Sequence, residues 1–315
     1  MQKTYLVTGG AGFIGSHLVK KLLSLNHKVI CMDNEFRGSF KNLDVKSKNL
    51  QIKRGDVRKL SDWPKPTKKI DGVFHLAAIN GTKNFYKIPD VVLDVNVKGT
   101  INAVEYVQKY KIPYLSFASS SETYGIPQIF PTSESTMLTV PNLDNPRWSY
   151  GASKIIGEVY CVNYAKQFNF KCSIIRYNNV YGPKDEMGHV IPDLISKIIK
   201  NQKFIVEGTG NETRSFCFID DAIDATLLIL EKQKSKIDIF NVGVDIETKI
   251  SFLIKHLEKI SQKKIKPIYK IKPNSGTKRR KPNIKKIKKV GFTPTINLKQ
   301  GLEITYDWYQ KILSK

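Results

Sequence analysis

The sequence predicts an α/β protein built on a parallel sheet with helices on both faces, and three observations carry that prediction. Short apolar runs recur through residues 3–176, long stretches with helical spacing separate them, and a glycine-rich turn joins the first run to the first such stretch. Strands that alternate with helical patterns of this length belong to parallel sheets covered on both faces. The composition agrees. With 315 residues, 41% of them hydrophobic and 25% charged, the chain can bury a substantial core as one large or two moderate domains.

The elements follow in order. Residues 3–8 form an apolar run stopped by Gly9 and Gly10, which marks a buried first strand. Residues 14–25 carry Ile14, Leu18, Leu22 and Leu25 at helical spacing, and residues 28–32 are a second apolar strand ending at Asp33. Residues 50–53, 72–76, 114–118 and 172–176 read as further strands, with helices over 91–109 and 150–168 between them. After Tyr177 the texture changes: Pro183, Gly188, Pro192, Gly208 and Gly210 interrupt shorter elements, among them a helix over 192–200. A helix over 221–231 and a strand over 237–242 rejoin the first unit, and helices near 251–260 and 298–313 complete the chain. The expected organisation is a nucleotide-binding domain over 1–176 plus about 218–244. A smaller α/β substrate domain over about 177–217 plus 245–315 is interleaved with it in sequence.

Several function classes drop out. No run approaches the roughly 18 apolar residues of a membrane span. Strand-like residues begin at Lys3, so no signal peptide is expected. Cys31, Cys161, Cys172 and Cys217 form no CxxC pair and no metal-like spacing, which suits reduced thiols in a cytoplasmic protein and predicts no metal site. The balance of 52 Lys+Arg against 28 Asp+Glu gives a net charge of +24. Residues 261–289 hold 13 of those cations and no acid. Ile265, Ile268, Ile271, Ile284, Ile287 and Val290 are spaced through that cluster, so it is expected to fold rather than trail as a basic tail. No nucleic-acid motif accompanies the charge, and an anionic small-molecule substrate is the expected partner.

The turn itself reads Thr8-Gly9-Gly10-Ala11-Gly12-Phe13-Ile14-Gly15. Gly9 allows the tight turn, Gly12 lets the backbone approach a pyrophosphate, and Gly15 allows close helix packing; the helix N-terminus supplies amides and partial positive charge. In this context the pattern is expected to form the phosphate turn of a Rossmann-type doubly wound sheet. Asp33, at the end of the second strand, can hold the adenosine ribose hydroxyls and would repel a 2′-phosphate, so NAD is favoured over NADP. Arg37 lies close enough to blur that preference.

Tyr150 and Lys154 stand four apart at the start of a predicted helix, on one face and one turn apart. A phenol ionises near pH 10, and a lysine cation together with oxidised nicotinamide would lower that pKa enough for base work. Ser119, Ser120 and Ser121 close the strand at 114–118, at the carboxyl end where open α/β sheets bind ligands.

These motifs together resemble the extended short-chain dehydrogenases/reductases of the nucleotide-sugar epimerase/dehydratase group. The resemblance runs through residues 8–15, Asp56-Val57, His75-Leu76-Ala77-Ala78, Asn96, residues 119–125, 150–154, 176–183, 213–221 and 278–285. It implies that Tyr150 is the acid/base on a sugar hydroxyl, that Lys154 tunes it and holds the nicotinamide ribose, and that Ser120 assists. It implies NAD contacts from Gly9, Gly12, Phe13, Ile14, Gly15, Asp33, Asn34, Asp56, Val57, Leu76, Ala77, Ala78, Asn96 and Ser119. Substrate contacts fall to Thr82, in the loop expected over the sugar, to Ser120, and to Asn179, Arg214 and Arg279 on the nucleotide diphosphate. It also implies a homodimer in which the helices at 91–109 and 150–168 pair with their copies in a four-helix bundle. Val92, Val95, Ile101, Val104 and Val107 exceed what one buried face of the first helix needs.

The shared first step is oxidation of a hexose hydroxyl at C4, and the ketone can then follow several routes. Hydride return to the other face gives 4-epimerisation, the reading placed first. A 4,6-dehydratase with Glu122 as C5 base, a 4-dehydrogenase stopping at the keto sugar, and a uronate decarboxylase are the alternatives. A non-catalytic nucleotide-binding protein is the alternative from another class. Ser121-Glu122 departs from the Asp-Glu of thymidine-type dehydratases and matches the Ser-Glu of GDP-mannose-type dehydratases, decarboxylases and some epimerases. The decarboxylases place Arg after the active-site lysine, where this chain has Ile155.

Overall fold

The computed structural model describes residues 1–271 and 277–314. In chain order the elements are β1 (Thr4–Thr8), α1 (Phe13–Ser24), β2 (Lys28–Asp33), β3 (Leu50–Arg54), β4 (Gly72–His75), α2 (Thr82–Lys87) and α3 (Pro89–Lys109). β5 (Tyr114–Ser120), α4 (Ser149–Phe168), β6 (Lys171–Tyr177), β7 (Val180–Tyr181), α5 (Val190–Ile199), β8 (Ile205–Glu207), β9 (Thr213–Arg214) and β10 (Cys217–Phe218) follow. The chain ends through α6 (Ile219–Lys232), β11 (Ile237–Val242), β12 (Thr248–Lys249), α7 (Ile250–Ser261), β13 (Ile268–Lys270), β14 (Arg279–Arg280), α8 (Lys285–Lys289) and α9 (Leu298–Leu313).

Seven strands make one parallel sheet in the order β11-β6-β5-β4-β1-β2-β3. The chain winds outward in both directions from the β1/β4 pair, and the crevice outside the carboxyl ends at such a reversal is where open α/β sheets take ligands. Leu6, Val7, Val73, Leu115, Phe117 and Ile174 are fully buried, as strands covered on both faces require. The expected return to this sheet after the smaller elements occurs, since β11 pairs with β6 along its whole length. The smaller elements add a three-stranded sheet, β12-β9-β14, and two strand pairs, β10-β7 and β13-β8.

A buried imidazole ties the switch point together. Thr8 Oγ1 lies 2.8 Å from His75 Nδ1, and Thr100 Oγ1 lies 3.4 Å from His75 Nε2 while donating to the Asn96 carbonyl at 2.7 Å. With the Thr100 proton committed, the network assigns the ring proton to Nε2 and makes Nδ1 the acceptor for Thr8. Burial, helped by the charge of Lys154, pushes the His75 pKa down to about 3, so the ring is a neutral strut.

Three expectations change. Segment 283–292 does not belong with the smaller unit: Ile284, Ile287 and Phe292 pack with Ile175, Tyr177 and Val242 on the β11 edge of the large sheet, and Asn283 O accepts from Asn241 Nδ2 at 3.2 Å. The basic cluster is only partly a folded face, because Ile271 is exposed while Ile284 and Ile287 are buried; its residues 272–276 lie outside the described ones. On α3, the residues Val92, Val104 and Val107 are already buried within the protomer. Three of the five apolar positions counted as surplus therefore serve the chain's own core.

Candidate active site

The turn after β1 is shaped by close approaches. Gly9 has φ +69°, and a Cβ there would sit 2.6 Å from Ala77 N; at Gly15 it would sit 2.1 Å from the Gly9 carbonyl. At Gly12 the neighbour within 4 Å would be the Gly9 carbonyl alone, at 3.2 Å, which leaves a backbone-lined cradle on the cleft side. Gly12 also starts α1 without a side-chain cap, so the first-turn amides are not consumed by a capping side chain. Asp33 is buried and fixed by Ala11 N to Oδ2 at 3.0 Å and Glu35 N to Oδ1 at 2.8 Å. Burial raises its pKa, opposed by these donors. Arg37, the residue that could have favoured a 2′-phosphate, is committed to Glu186, with Nε 2.6 Å from Oε2. A pyrophosphate cradle, an uncapped helix end and a ribose carboxylate fit a dinucleotide of the NAD type.

One cleft gathers most of the predicted residues. Gly9, Gly12, Phe13, Ile14, Gly15, Asp33, Asn34, Val57, Leu76, Ala77, Ala78 and Ser119 line it on the cofactor side. Ser120, Glu122, Tyr150, Lys154, Thr82, Asn179 and Arg214 line it on the side of the smaller strands. Three predicted contacts lie elsewhere. Asp56 does not line the cleft; its carboxylate is taken by Arg58, with Oδ2 2.6 Å from Arg58 NH2. Asn96 is buried behind the wall, where Oδ1 accepts from Ile79 N at 2.8 Å and Nδ2 donates to Ser153 Oγ at 3.0 Å, tying the β4 loop to α4. Arg279 points away, pairing with Glu247 at 2.7 Å and covering the Phe130 ring. Its neighbour Arg280 lines the cleft instead. Successive residues of a strand face opposite sides, so the choice within the Arg279-Arg280 pair turns on a register that spacing does not reveal.

Tyr150 is buried and stacks on Phe85 of α2 at 5.3 Å, with Ser120 beside its hydroxyl favouring the ionised form. The Lys154 ammonium lies 4.9 Å from the Phe117 ring centroid and 5.7 Å from that of Tyr150. The expected lowering of the phenol is not achieved by the protein's own groups. Burial pushes Tyr150 up to about 12 and outweighs the favourable effects of Arg37 and Ser120. Burial likewise brings Lys154 down to about 8. Beneath them, Ser119 Oγ donates to Glu158 at 2.5 Å, and Glu158 is held by Arg176 through Nε at 2.9 Å and NH2 at 2.6 Å. Glu158 follows Lys154 by one helical turn, so a buried ion pair braces the serine strand against α4.

Glu122 is in the cleft but not free. Its Oε2 lies 2.7 Å from Arg280 NH2 and its Oε1 lies 3.4 Å from Arg147 NH2. Burial would raise its pKa, but Arg280 and then Arg147 win and hold it below the usual range. Arg214 is the converse case: burial, reinforced by Arg280, lowers it to about 10. Sequence reasoning missed Arg147 and Arg280, and placed Phe85 only as part of the loop over the sugar. The Arg three residues before Tyr150 was the one signal available in the chain for the first of them.

Comparison with known proteins agrees with this geometry. The model of the NAD dependent epimerase/dehydratase family matches residues 5–243. The chain is 37% identical over 311 residues to a Methanocaldococcus jannaschii protein named "Putative UDP-glucose 4-epimerase", covering 96% of this chain and 97% of that one. It is 32% identical over 322 residues to the UDP-N-acetyl-alpha-D-glucosaminuronate decarboxylase of Bacillus cytotoxicus, covering 99% of each. Among solved structures it matches the UDP-glucuronic acid 4-epimerase of Bacillus cereus in complex with UDP-glucuronic acid and NAD. The TM-score is 0.88 at 30% identity, over 98% of this chain and 99% of that one.

Proposed function

Because the chain belongs to the NAD-dependent epimerase/dehydratase family, we propose that it is a UDP-sugar 4-epimerase, oxidising the C4 hydroxyl and reducing the ketone from its other face. It is an NAD-dependent enzyme of Rossmann-type fold. Gly12 and the first turn of α1 would hold the pyrophosphate, Asp33 the adenosine ribose and Lys154 the nicotinamide ribose. The chemistry NAD supplies when bound is reversible acceptance of a hydride. Tyr150 Oη takes the C4 hydroxyl proton and later returns it, so one residue serves both halves of an epimerisation. Ser120 donates to the same oxygen. Lys154, ionised at neutral pH with a pKa of about 8, supplies the charge that offsets burial of the phenolate. Asn179 and Arg214 would take the diphosphate.

The observation that carries the choice of route is the state of Glu122. A 4,6-dehydration needs a second base for the C5 proton, and a carboxylate held low by Arg280 and Arg147 is a weak one. Epimerisation needs no second base. A uronate decarboxylase is the second reading, favoured by the full-length likeness to the Bacillus cytotoxicus enzyme, since a C4 ketone beside a C5 carboxylate loses carbon dioxide without further base. The test is a panel of UDP-, GDP-, CDP- and dTDP-sugars with products identified by mass and NMR. A C4 epimer of unchanged mass from a UDP-sugar is expected, and Tyr150→Phe should slow its formation by roughly a hundredfold or more. Loss of water, or wild-type turnover by Tyr150→Phe, would refute the reading.

A further inference from the structure

Two loops meet across the cofactor cleft. One follows β2 and carries Phe36, Arg37 and Gly38; the other lies between β7 and α5 and carries Glu186, Gly188 and His189. All six residues line the cleft, and the two loops touch inside it at one ion pair. Nε and NH2 of Arg37 lie 2.6 and 2.5 Å from Glu186 Oε2, with the two side chains 18% and 27% exposed. A solvated surface pair would contribute little, but this one is mostly covered and its geometry is set from both ends.

The first loop is fastened to the phosphate turn. Ser39 N and Asn42 Nδ2 donate to the Ala11 carbonyl at 3.1 and 2.9 Å, and a Cβ at Gly38 would sit 2.6 Å from Gly12 N. Arg37 therefore leaves the chain beside the pyrophosphate cradle. The second loop is fastened to α9 and to itself. Tyr309 donates its hydroxyl to the Asp185 carbonyl, and the Asp185 carboxylate accepts from Glu186 N at 2.8 Å and pairs with His189 Nδ1 at 2.7 Å. Lys184, which does not line the cleft, ties loop to loop by donating to the Asn42 carbonyl at 2.5 Å and pairing with Asp44 at 3.1 Å. With both backbones held, the contact in the cleft can open by rotation of two side chains, without movement of either loop.

The pair stands between the two ends of the cofactor path. Asp33 marks the adenosine end, four residues before Arg37, while the Arg37 charge is felt at Tyr150 on the other side. A dinucleotide running from Asp33 to Lys154 with its pyrophosphate at Gly12 has to pass this contact. We propose that the Arg37–Glu186 pair is a bridge over the bound dinucleotide that limits the rate at which cofactor enters and leaves. The inference rests on NAD binding and not on the choice of sugar or route. Both are positioning residues: a reaction that takes a hydride from the sugar and gives it back needs the reduced nicotinamide to stay in place while the ketone exists, and the bridge keeps it there.

Stopped-flow NADH fluorescence tests this on the whole enzyme. Exit is read by loading with NADH and chasing with excess NAD, and entry by mixing nucleotide-free enzyme with NADH. Glu186→Gln keeps the side-chain size and removes the ion pair. It should speed exit by roughly three- to tenfold, the scale of a partly buried pair, and speed entry by a similar factor, leaving Kd within about twofold. Removing an acid beside a pyrophosphate would by itself slow exit, so unchanged or slower exit overturns the proposal. Faster exit with unchanged entry, the signature of a damaged site, also overturns it. Arg37→Gln should speed exit in the wild-type background and add little in the Glu186→Gln background. A full effect of Arg37→Gln in both backgrounds would assign Arg37 to the phosphates alone and discard the bridge.

Discussion

Lys154 is a cation that the fold holds at a cost, and the cost can be measured. The residue is 3% exposed, and burial brings its pKa from 10.5 to about 8. At about 1.4 kcal/mol for each tenfold change in proton affinity, the folded state bears about 3 kcal/mol for keeping the ammonium charged. Below pH 8 both states carry the proton and the full cost applies. Between pH 8 and about 10.5 the unfolded chain keeps its proton while the folded one sheds it, so stability rises with pH; above that window the cost is gone. Met matches the length of the Lys stem and carries no charge. Lys154→Met should therefore be more stable than wild type at pH 7, by up to about 3 kcal/mol less whatever the Phe117 and Tyr150 ring contacts contribute. Its advantage should shrink steadily from pH 8 to pH 10. Urea unfolding midpoints without added NAD, across pH 7 to 10, give the comparison directly. A variant less stable than wild type at pH 7, or an advantage indifferent to pH, would refute the reasoning. Activity should be lost in either case, which is the reason to keep an expensive residue.

Two further predictions concern stability and assembly. His75, neutral in the fold with a pKa of about 3, makes stability fall as the pH drops from about 6.5 toward 3, by up to about 5 kcal/mol. His75→Gln, less stable at pH 7, should close much of that gap by pH 5 in urea titrations, and a constant gap would contradict the assignment. We propose a homodimer through the outer stripe Leu93, Val97 and Ile101 of α3 with Ile156 and Val159 of α4, where Leu93, Ile156 and Val159 are exposed. Light scattering should give twice the chain mass at micromolar concentration and Val159→Arg the single mass, and a monomeric wild type would discard the idea.

The large sheet was legible because most of its strands carry a short apolar run and α1, α3, α4 and α6 are long. The strands at 28–33, 50–54 and 171–177 differ from the expected runs only by one or two residues at their ends. The smaller elements were not legible. β7, β9, β10, β12 and β14 are two residues each, and no hydrophobic period can be read from two positions. α2 stayed hidden for a related reason: it spans six residues, begins after Gly81 at φ +101° and has one buried side chain, Phe85. Segment 283–292 was assigned to the wrong neighbour because its apolar residues declare burial but not the surface they meet, and the β11 edge is set by topology.

The glycine turn and the Tyr150–Lys154 pair are legible in sequence for a physical reason that does not extend to the arginines of the cleft. A turn that brings backbone against backbone tolerates only glycine, so Gly9 and Gly15 register the contact in the sequence itself. Tyr150 and Lys154 likewise depend on local helical geometry, which spacing records. The arginines at the substrate end come from segments far apart, residue 147 before α4, residue 214 in β9 and residue 280 in β14, and which of them converge is decided by tertiary structure. The family resemblance pointed to Arg279 where the strand turns Arg280 inward. It offered Glu122 as a free base where Arg147 and Arg280 hold the carboxylate. The Tyr150–Lys154 spacing was read as a phenol lowered by the lysine together with oxidised nicotinamide; in the chain alone burial moves the pair the other way, to about 12 and about 8. Ionising the phenol in this pocket therefore takes further positive charge, which an oxidised nicotinamide bound beside it would supply.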